Sequence, residues 1–330
     1  MINTSSITLT DVNEYSKYLH SVPFKAICEG LYTVEDLFDV FEADNPDSFD
    51  QCYDTRVYKH VCENGKIPHH PLEMAARSMH DCDISKHLQN FLSQYDQRLV
   101  VGIMGGHAMK RNDEAYRQTV DVSKKLTEKG YLMISGGGPG AMEATHLGAW
   151  MAGRSKKELD DAISIISKAP TFKDEGWLAT AFEVRKKYPL LTEYKSLAIP
   201  TWFYGHEPPC AFATHIAKFF DNSIREDKIL TVAYGGLIYM PGSAGTVQEI
   251  FQEVCQDHYL TLGYASPMVF VGREYWTKEV PVFPFMKHMM KKGYYKNLLL
   301  SLVDRTESIV KSIDDFENIY DALPDECKQR

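Results

Sequence analysis

Two glycine-rich turns, each lying between an apolar run and an amphipathic stretch, limit what this chain can fold into. The first turn covers 135–144 (SGGGPGAMEA) and follows an apolar run at 131–135. The second covers 239–249 (YMPGSAGTVQE) and follows an apolar run at 236–240. Glycine lets the backbone bend tightly, and a helix that starts at such a bend leaves its first N–H groups unpaired. A strand that turns directly into a helix is typical of a parallel α/β sheet.

From Arg98 onward, short apolar runs alternate with amphipathic stretches, which predicts an α/β fold with a Rossmann-like, doubly wound parallel sheet. Strands are predicted at 98–104, 131–135, 197–203, 229–233, 236–240, 267–271 and 300–303. Helices are predicted near 112–129, 140–152, 211–226, 244–260 and 306–318. The polar stretch 154–196 is expected to be helical and to decorate the sheet.

The first 95 residues have a different character, because they contain no glycine-rich turn and look helical and irregular. Helix starts are predicted at Asp11 and Thr33, each of which is followed three residues later by an acidic residue. The proline-containing stretch 67–71 interrupts the region. We therefore expect a mainly helical N-terminal extension over 1–95 and a Rossmann-like domain over 96–330.

Charge and composition argue against several classes of function. The formal net charge is −9 without any block of lysine or arginine, so no nucleic-acid partner is expected. The first residues do not resemble a signal peptide, and no apolar run approaches the ~18 residues of a membrane span, so we expect a cytoplasmic protein without membrane contact. The seven cysteines lack C-x-x-C spacing, and no metal or other cofactor is expected. The histidines and cysteine that come closest to a metal-site pattern lack regular ligand spacing; they are His69, His70, His80 and Cys82.

The first turn departs from the fingerprint of dinucleotide-binding proteins. That fingerprint is G-x-G-x-x-G, with an acidic residue about 20 positions later. Here Glu143 takes the place of the third glycine after Gly138 and Gly140. NAD is therefore disfavoured, and two interpretations stay open: a cradle for a smaller anion, or a tight connection that binds nothing.

The second turn combines an anion cradle with an acidic residue. Gly242 and Gly245 expose amides at a helix start and Thr246 adds a hydroxyl, which are groups that hold phosphate. The buried stripe of this helix is predicted to consist of Val247, Ile250, Phe251 and Val254. Thr246, Glu249 and Glu253 share another face, so Glu249 is expected about 4–5 Å further along the helix axis, on the side of the cradle. The alternative is a solvated glutamate.

Three segments in combination resemble the LONELY GUY family of phosphoribohydrolases. They are IMGGHAM at 103–109, the first turn at 135–144, and MPGSAGTVQE at 240–249. Within that family they are most similar to the bacterial nucleotide 5'-monophosphate nucleosidases, whose turns read G-G-H, G-x-G-P-G-A-M-E-A and P-G-G-x-G-T-x-x-E. The resemblance spans roughly 98–320. It implies a homodimer or higher homo-oligomer that hydrolyses a nucleoside 5'-monophosphate to free base and ribose 5-phosphate without a cofactor.

The resemblance also implies roles for individual residues. Arg225 and Glu249 match the catalytic arginine and glutamate, although Arg225 stands one residue farther from the P-G turn than is usual. Residues expected to hold the 5'-phosphate are Gly242, Ser243, Gly245 and Thr246, and Ser243 replaces the usual second glycine. Residues expected on the ribose and base side are Gly105, Gly106, Gly137, Gly138 and Met142.

Other interpretations of these residues stay open. A solvated helix end is the alternative for Arg225 and Lys228, a core position is the alternative for Met142, and His107 can serve as a turn-stabilising residue. For the whole chain, the alternative to an enzyme is a non-catalytic nucleotide carrier or sensor that uses the same cradle. A third possibility is an interaction protein that works through 1–95.

Overall fold

Seven parallel strands form the sheet that organises the chain in a computed structural model, which describes residues 12–205 and 207–322. The strands are β1 (Val100–Met104), β2 (Leu132–Ser135), β3 (Ser196–Ala198), β4 (His215–Ile216), β5 (Gly236–Tyr239), β6 (Pro267–Val271) and β7 (Leu299–Val303). Their order across the sheet is β4-β3-β2-β1-β5-β6-β7, and each neighbouring pair is parallel. With the flanking helices this is a Rossmann-like α/β fold, which confirms the predicted fold class.

Helices precede the sheet and cover both of its faces. Those before the sheet are α1 (Val12–Ser21), α2 (Val34–Leu37), α3 (Tyr53–Asn64) and α4 (Pro71–Leu92). Those between and after the strands are α5 (Glu114–Glu128), α6 (Ala141–Trp150), α7 (Lys156–Ile166), α8 (Trp177–Lys187), α9 (Asn222–Thr231), α10 (Ala244–Tyr259), α11 (Val282–Lys291) and α12 (Thr306–Ala322). Within the described residues, no helix is both long and apolar enough to cross a bilayer.

The order of the strands reverses between β1 and β5. From β1 the chain moves outward through β2 and β3 to β4, then returns to β5 on the other side of β1 and moves outward to β7. Gly102 shows the reversal, because it pairs with Ile134 of β2 on one side and with Leu237 of β5 on the other. In doubly wound sheets, ligands bind beyond the carboxyl ends of the strands at this switch point.

One predicted strand and one predicted helix are wrong. The segment 229–233 is not a strand, because its first residues form the last turn of α9, where Ile229 and Leu230 are buried. The predicted helix over 211–226 is replaced by β4 and the first half of α9. An apolar run of this length fits a buried strand and a buried helix turn equally well, and the cap at Asp221, which accepts a hydrogen bond from the Ser223 N–H at 2.8 Å, favours the helix.

The N-terminal helices pack against the β4 side of the sheet. Leu37 and Ile84 belong to the same hydrophobic cluster as Ile216 of β4 and Ile229 of α9. Tyr32 also pairs with Ile216 through two backbone hydrogen bonds, so this segment covers the sheet edge. The division of the chain at residue 95 stays a prediction.

The two helix starts predicted in this region have different outcomes. The start at Thr33 is confirmed by a capping box with Asp36. The start at Asp11 lies outside the described residues.

Candidate functional site

The turns that leave β1, β2 and β5 contact one another at the switch point. The Gly106 N–H donates to the Pro241 carbonyl at 3.0 Å. A Cβ on Gly242 would lie 2.2 Å from Thr246 Oγ1 and 2.9 Å from the Gly106 nitrogen, and a Cβ on Gly140 would lie 2.4 Å from the Gly106 carbonyl oxygen. The three backbones therefore meet at distances that leave no room for a side chain at these positions.

We call the space beyond the carboxyl ends of β1, β2 and β5 the crevice. The β2 turn forms one wall of the crevice. Gly137 has φ +69°, and a Cβ there would lie 2.6 Å from the Ala198 Cβ of β3. The side chain of Met142 lies against the same turn, 2.9 Å from where a Cβ on Gly138 would stand, and it is half-buried. Glu207 approaches the same point from the segment after β3, at 3.5 Å. Met142 and Gly138 thus lie on the crevice side of the turn.

The β1 turn lies between the other two. A Cβ on Gly105 would lie 2.8 Å from the Ala141 Cβ and 2.9 Å from the Met240 Cβ, so Gly105 serves the close packing of the turns. His107 is exposed, and its Nε2 lies 4.0 Å from a carboxylate oxygen of Glu207. Gly106 therefore faces the second turn, whereas His107 faces the segment that follows β3.

The first backbone amides of α10 have no hydrogen-bond acceptor among the residues that the structure describes. Ser243 is the N-cap residue, but its side chain makes no capping hydrogen bond, and Ser243 and Gly245 are exposed. Apart from its chain neighbours and the backbone of its own helix, no heavy atom of the described residues lies within 4 Å of where a Cβ on Gly245 would stand. Behind the turn, the Tyr275 hydroxyl donates to the Gly242 carbonyl at 2.8 Å. Because a helix N-terminus carries about half a positive charge, this open, braced turn is suited to an anion.

The face of α10 that carries Thr246 and Glu253 is buried against the protein. The predicted buried stripe of this helix did not include this face. Thr246 and Glu253 are only 4% and 1% exposed. Two residues of the predicted stripe, Val247 and Phe251, are only partly buried, whereas the other two, Ile250 and Val254, are buried. The polar face lies near the buried Tyr239 of β5, whose pKa is raised by burial and by the nearby carboxylates. Helical periodicity placed these side chains on one face but did not show what covers that face.

Glu249 is half-buried on that face, one turn beyond the cradle. Burial raises the pKa of Glu249 to about 7, the positive charge of Arg225 opposes this rise, and the negative charge of Glu226 adds to it. A carboxyl whose pKa lies near neutrality can exchange a proton at physiological pH. The interpretation of Glu249 as a fully solvated residue does not fit this environment.

Arg225 of α9 lies within electrostatic reach of Glu249, and its guanidinium group has no hydrogen-bond or ion-pair partner among the described residues. Its Nε is buried without a hydrogen bond, and it forms no ion pair with any residue in 12–205 or 207–322. The guanidinium carbon lies 6.0 Å from the centre of the Tyr204 ring. In the described residues neither of the nearby carboxylates, Glu249 and Glu226, forms an ion pair with Arg225, so this partly buried guanidinium is available to an anionic ligand.

Glu226 and Tyr204 are among the residues at this site that were not singled out from the sequence. Glu226 accepts hydrogen bonds from the Tyr204 hydroxyl at 3.2 Å and from the Gln248 amide, so it joins α9 to the segment after β3 and to α10. The available signals were the position of Glu226 next to Arg225 and that of Tyr204 after the end of a strand. Lys228, in contrast, lines a different cavity together with Val100, at the amino end of β1.

Buried polar groups hold the β2 turn from below. Glu143 accepts hydrogen bonds from Arg111 at 2.5 and 2.9 Å and from the Tyr116 hydroxyl at 2.9 Å. Ser135 Oγ lies 2.8 Å from Nε2 of His146, whose pKa is lowered to about 3 by burial, so this imidazole stays neutral. The glutamate that breaks the dinucleotide fingerprint is therefore a structural anchor for α6.

Comparisons with known proteins leave the function open. No protein-family model matches the chain, and no curated protein matches it. Among solved structures, the molybdenum cofactor binding protein from the phototrophic bacterium Rippkaea orientalis is 11% identical, with a TM-score of 0.41 over 66% of this chain and 96% of that one. The molybdenum cofactor carrier protein from Chlamydomonas reinhardtii is 13% identical, with a TM-score of 0.40 over 66% of this chain and 98% of that one. Similarity at this level does not identify a ligand or an activity for this chain.

Proposed function

We propose that this protein hydrolyses the N-glycosidic bond of a nucleoside 5'-monophosphate, as expected from its resemblance to the LONELY GUY phosphoribohydrolases. The observation that carries the proposal is the pairing of a half-buried Glu249, with a pKa of about 7, and an Arg225 that has no hydrogen-bond or ion-pair partner in 12–205 or 207–322. Glu249 lies one helical turn from the start of α10, which follows β5 at the switch point of the sheet.

The phosphate would bind at the start of α10. Its free amides and partial positive charge suit a dianion, and the open space at Gly245 lets the ligand approach the backbone. The residues proposed to hold it are Gly242, Ser243, Gly245 and Thr246. Arg225 would either add a second clamp on the phosphate or assist the departing base, since a guanidinium can donate several hydrogen bonds.

The ribose would then lie beside Glu249. Breaking the bond between C1' and the base leaves positive charge on the sugar, and the ionised carboxylate would stabilise that charge. Glu249 would also orient the attacking water and accept its proton as the new C–O bond forms. The electron pair of the broken bond leaves with the base, which takes up a proton, so the products are free base and ribose 5-phosphate.

The remaining lining residues would contact the ribose and base. They are Gly105, Gly106, Gly137, Gly138 and Met142, of which Gly105 also packs closely against Ala141 and Met240. We further propose that 96–330 is the catalytic domain, that 1–95 is a helical extension, that the protein works in the cytoplasm as a homodimer or higher homo-oligomer, and that it needs no cofactor.

A non-catalytic nucleotide carrier or sensor is the alternative, because free amides alone can hold a phosphate. Glu249 argues against it. A carboxylate near a bound phosphate weakens binding by charge repulsion, so a protein that only carries nucleotides gains nothing from that residue. In an enzyme the same carboxylate contributes when positive charge develops on the sugar.

The test is product formation from AMP, GMP, CMP and UMP, with ribose 5-phosphate and free base both measured by chromatography. The proposal predicts that at least one nucleotide yields the two products in equal amounts. The control variant is Asp227→Asn, which removes an exposed carboxylate that has no proposed role in the reaction and lies two residues from Arg225. It should keep wild-type activity. Tight binding of a nucleotide without either product would instead support the carrier.

A further inference from the structure

A carboxylate from the N-terminal region lies at the start of the helix that carries Arg225. Asp81 of α4 is 2% exposed, and its two oxygens accept hydrogen bonds from the N–H groups of Phe220 at 3.0 Å and Asp221 at 2.8 Å. Asp221 is the N-cap residue of α9. Asp81 therefore fixes the backbone at the point where α9 begins.

The orientation of Asp81 is itself fixed by buried partners. His80 Nδ1 lies 2.8 Å from Asp81 Oδ1, and His80 Nε2 lies 2.9 Å from the Tyr32 hydroxyl. Tyr32 is tied to the sheet edge through its backbone pairing with Ile216. A chain of buried hydrogen bonds thus runs from the edge of the sheet, through α4, to the start of α9.

Side-chain packing between α4 and the start of α9 is interrupted. A cavity of about 520 Å³ lies between them. Its lining residues from the two helices include Arg77 and Ser78 of α4 and Asn222 and Ser223 of α9. Beside that cavity, α4 contacts the start of α9 through the hydrogen bonds to Asp81 and through the packing of Phe220 against His80 and Arg77.

The position of Arg225 depends on α9 because its guanidinium group has no hydrogen-bond or ion-pair partner in the described residues. The Arg225 N–H donates to the Asp221 carbonyl at 3.2 Å, in the same turn that Asp81 fixes. We infer that Asp81 is a positioning residue, which holds Arg225 opposite Glu249 through the first turn of α9. This inference rests on the proposed function and gives part of 1–95 a role in it.

The ionisation of Glu249 depends on where Arg225 lies and can be measured without any substrate. The charged and titratable groups near Glu249 are Arg225 and Glu226 on α9, together with the buried Tyr239 on β5. Arg225 lowers the pKa of Glu249 more than Glu226 raises it. If the start of α9 loosens, the opposing effect of Arg225 weakens, and Glu249 should ionise at a higher pH.

The experiment follows the ionisation of Glu249 through stability. The difference in unfolding free energy between each protein and its Glu249→Gln counterpart, measured from pH 4 to 9, gives the midpoint at which Glu249 ionises. Asp81→Asn should raise this midpoint by about 0.5–1 pH unit, and so should Arg225→Gln. The double variant should move it no further than Arg225→Gln alone, because both changes act through the same cation.

The matched control is Asp83→Asn. Asp83 is also on α4 and accepts a backbone hydrogen bond from Cys28 at 2.7 Å, so this variant should lose stability without moving the midpoint. Tyr32→Phe removes the outermost hydrogen bond of this network, the one to His80, together with the contacts of the Tyr32 hydroxyl with Tyr53 at 3.2 Å and Cys28 at 3.7 Å. It should give a smaller shift of the same sign and serves if Asp81→Asn fails to fold. An unchanged midpoint in Asp81→Asn overturns the inference. If Asp81→Asn fails to fold, an unchanged midpoint in Tyr32→Phe does the same. A shift in Asp83→Asn as large as that in Asp81→Asn also overturns it. If the midpoints move as expected but no nucleotide is hydrolysed, the positioning role stands and the proposed function fails.

Discussion

The pH dependence of hydrolysis follows from the environment of Glu249. Its carboxyl has a pKa of about 7, because burial and Glu226 disfavour the ionised form more than Arg225 favours it. The mechanism needs the carboxylate, so activity should be low in acid and should rise through neutrality. With that pKa, roughly one carboxyl in ten is ionised at pH 6 and roughly nine in ten at pH 8, which predicts about a tenfold rise in kcat/KM.

The assay is the initial rate of ribose 5-phosphate release at low nucleotide concentration, from pH 5 to 9 at constant ionic strength. The second ionisation of a phosphate monoester, with a pKa of about 6, falls in the same range. Glu226→Gln separates the two effects, because it removes a negative charge near Glu249 without changing the substrate. It should move the midpoint of the rate profile to lower pH and should make the variant faster than the wild type at pH 6.

Two results would refute this reasoning. A rate that is flat or falls between pH 6 and pH 8 would mean that the ionised form of Glu249 is not the active one. A Glu226→Gln profile that moves to higher pH would mean that the charges around Glu249 are not arranged as described.

Three further predictions concern binding and stability. In Gly242→Ala the new Cβ would lie 2.2 Å from Thr246 Oγ1, so the cradle must deform, and we expect KM for the nucleotide to rise about tenfold or more. Folding raises the pKa of Glu249 from 4.5 to about 7, so the free energy of unfolding falls as the pH rises through this window. Glu249→Gln removes this loss and should stabilise the protein by about 1–3 kcal/mol at pH 8 and by much less at pH 4.5. Urea unfolding measures both values. Arg111→Met should cost about 3–5 kcal/mol in the same assay, because it leaves the buried Glu143 without its cation, and an effect below 1 kcal/mol would show that the pair is not needed.

The part of the fold that the sequence predicts well is the part with short, strongly apolar strands next to glycine turns. Strand β6 was predicted with its observed bounds, and β1, β2, β5 and β7 within two residues. Strand β4 was missed because it has only two residues, His215–Ile216, which is too short for an alternating pattern to appear. The apolar run at 229–233 wrongly predicts a strand, because neither its composition nor its length distinguishes a buried strand from a buried turn of helix.

The site was predictable only in part, for a physical reason. Glycine positions and helical periodicity place the cradle and Glu249 on the same side of one helix, and these features are local in sequence. The groups that act on Glu249 lie on other elements, α9 and β5, and Asp81 contacts the start of α9 from 140 residues away in the sequence. Such contacts depend on how helices pack, which a single sequence does not reveal.

The most direct measurement for the central claim compares nucleotide binding and turnover in the same Glu249→Gln preparation. Binding of the preferred nucleotide is measured by calorimetry, and base release is measured in a single turnover with enzyme in excess. We predict that the Kd of the variant for the nucleotide is no higher than that of the wild type, within a few-fold. The variant should release base about 10²–10⁴-fold more slowly. A variant that releases base at the wild-type rate would contradict the assignment of Glu249 as the catalytic carboxylate.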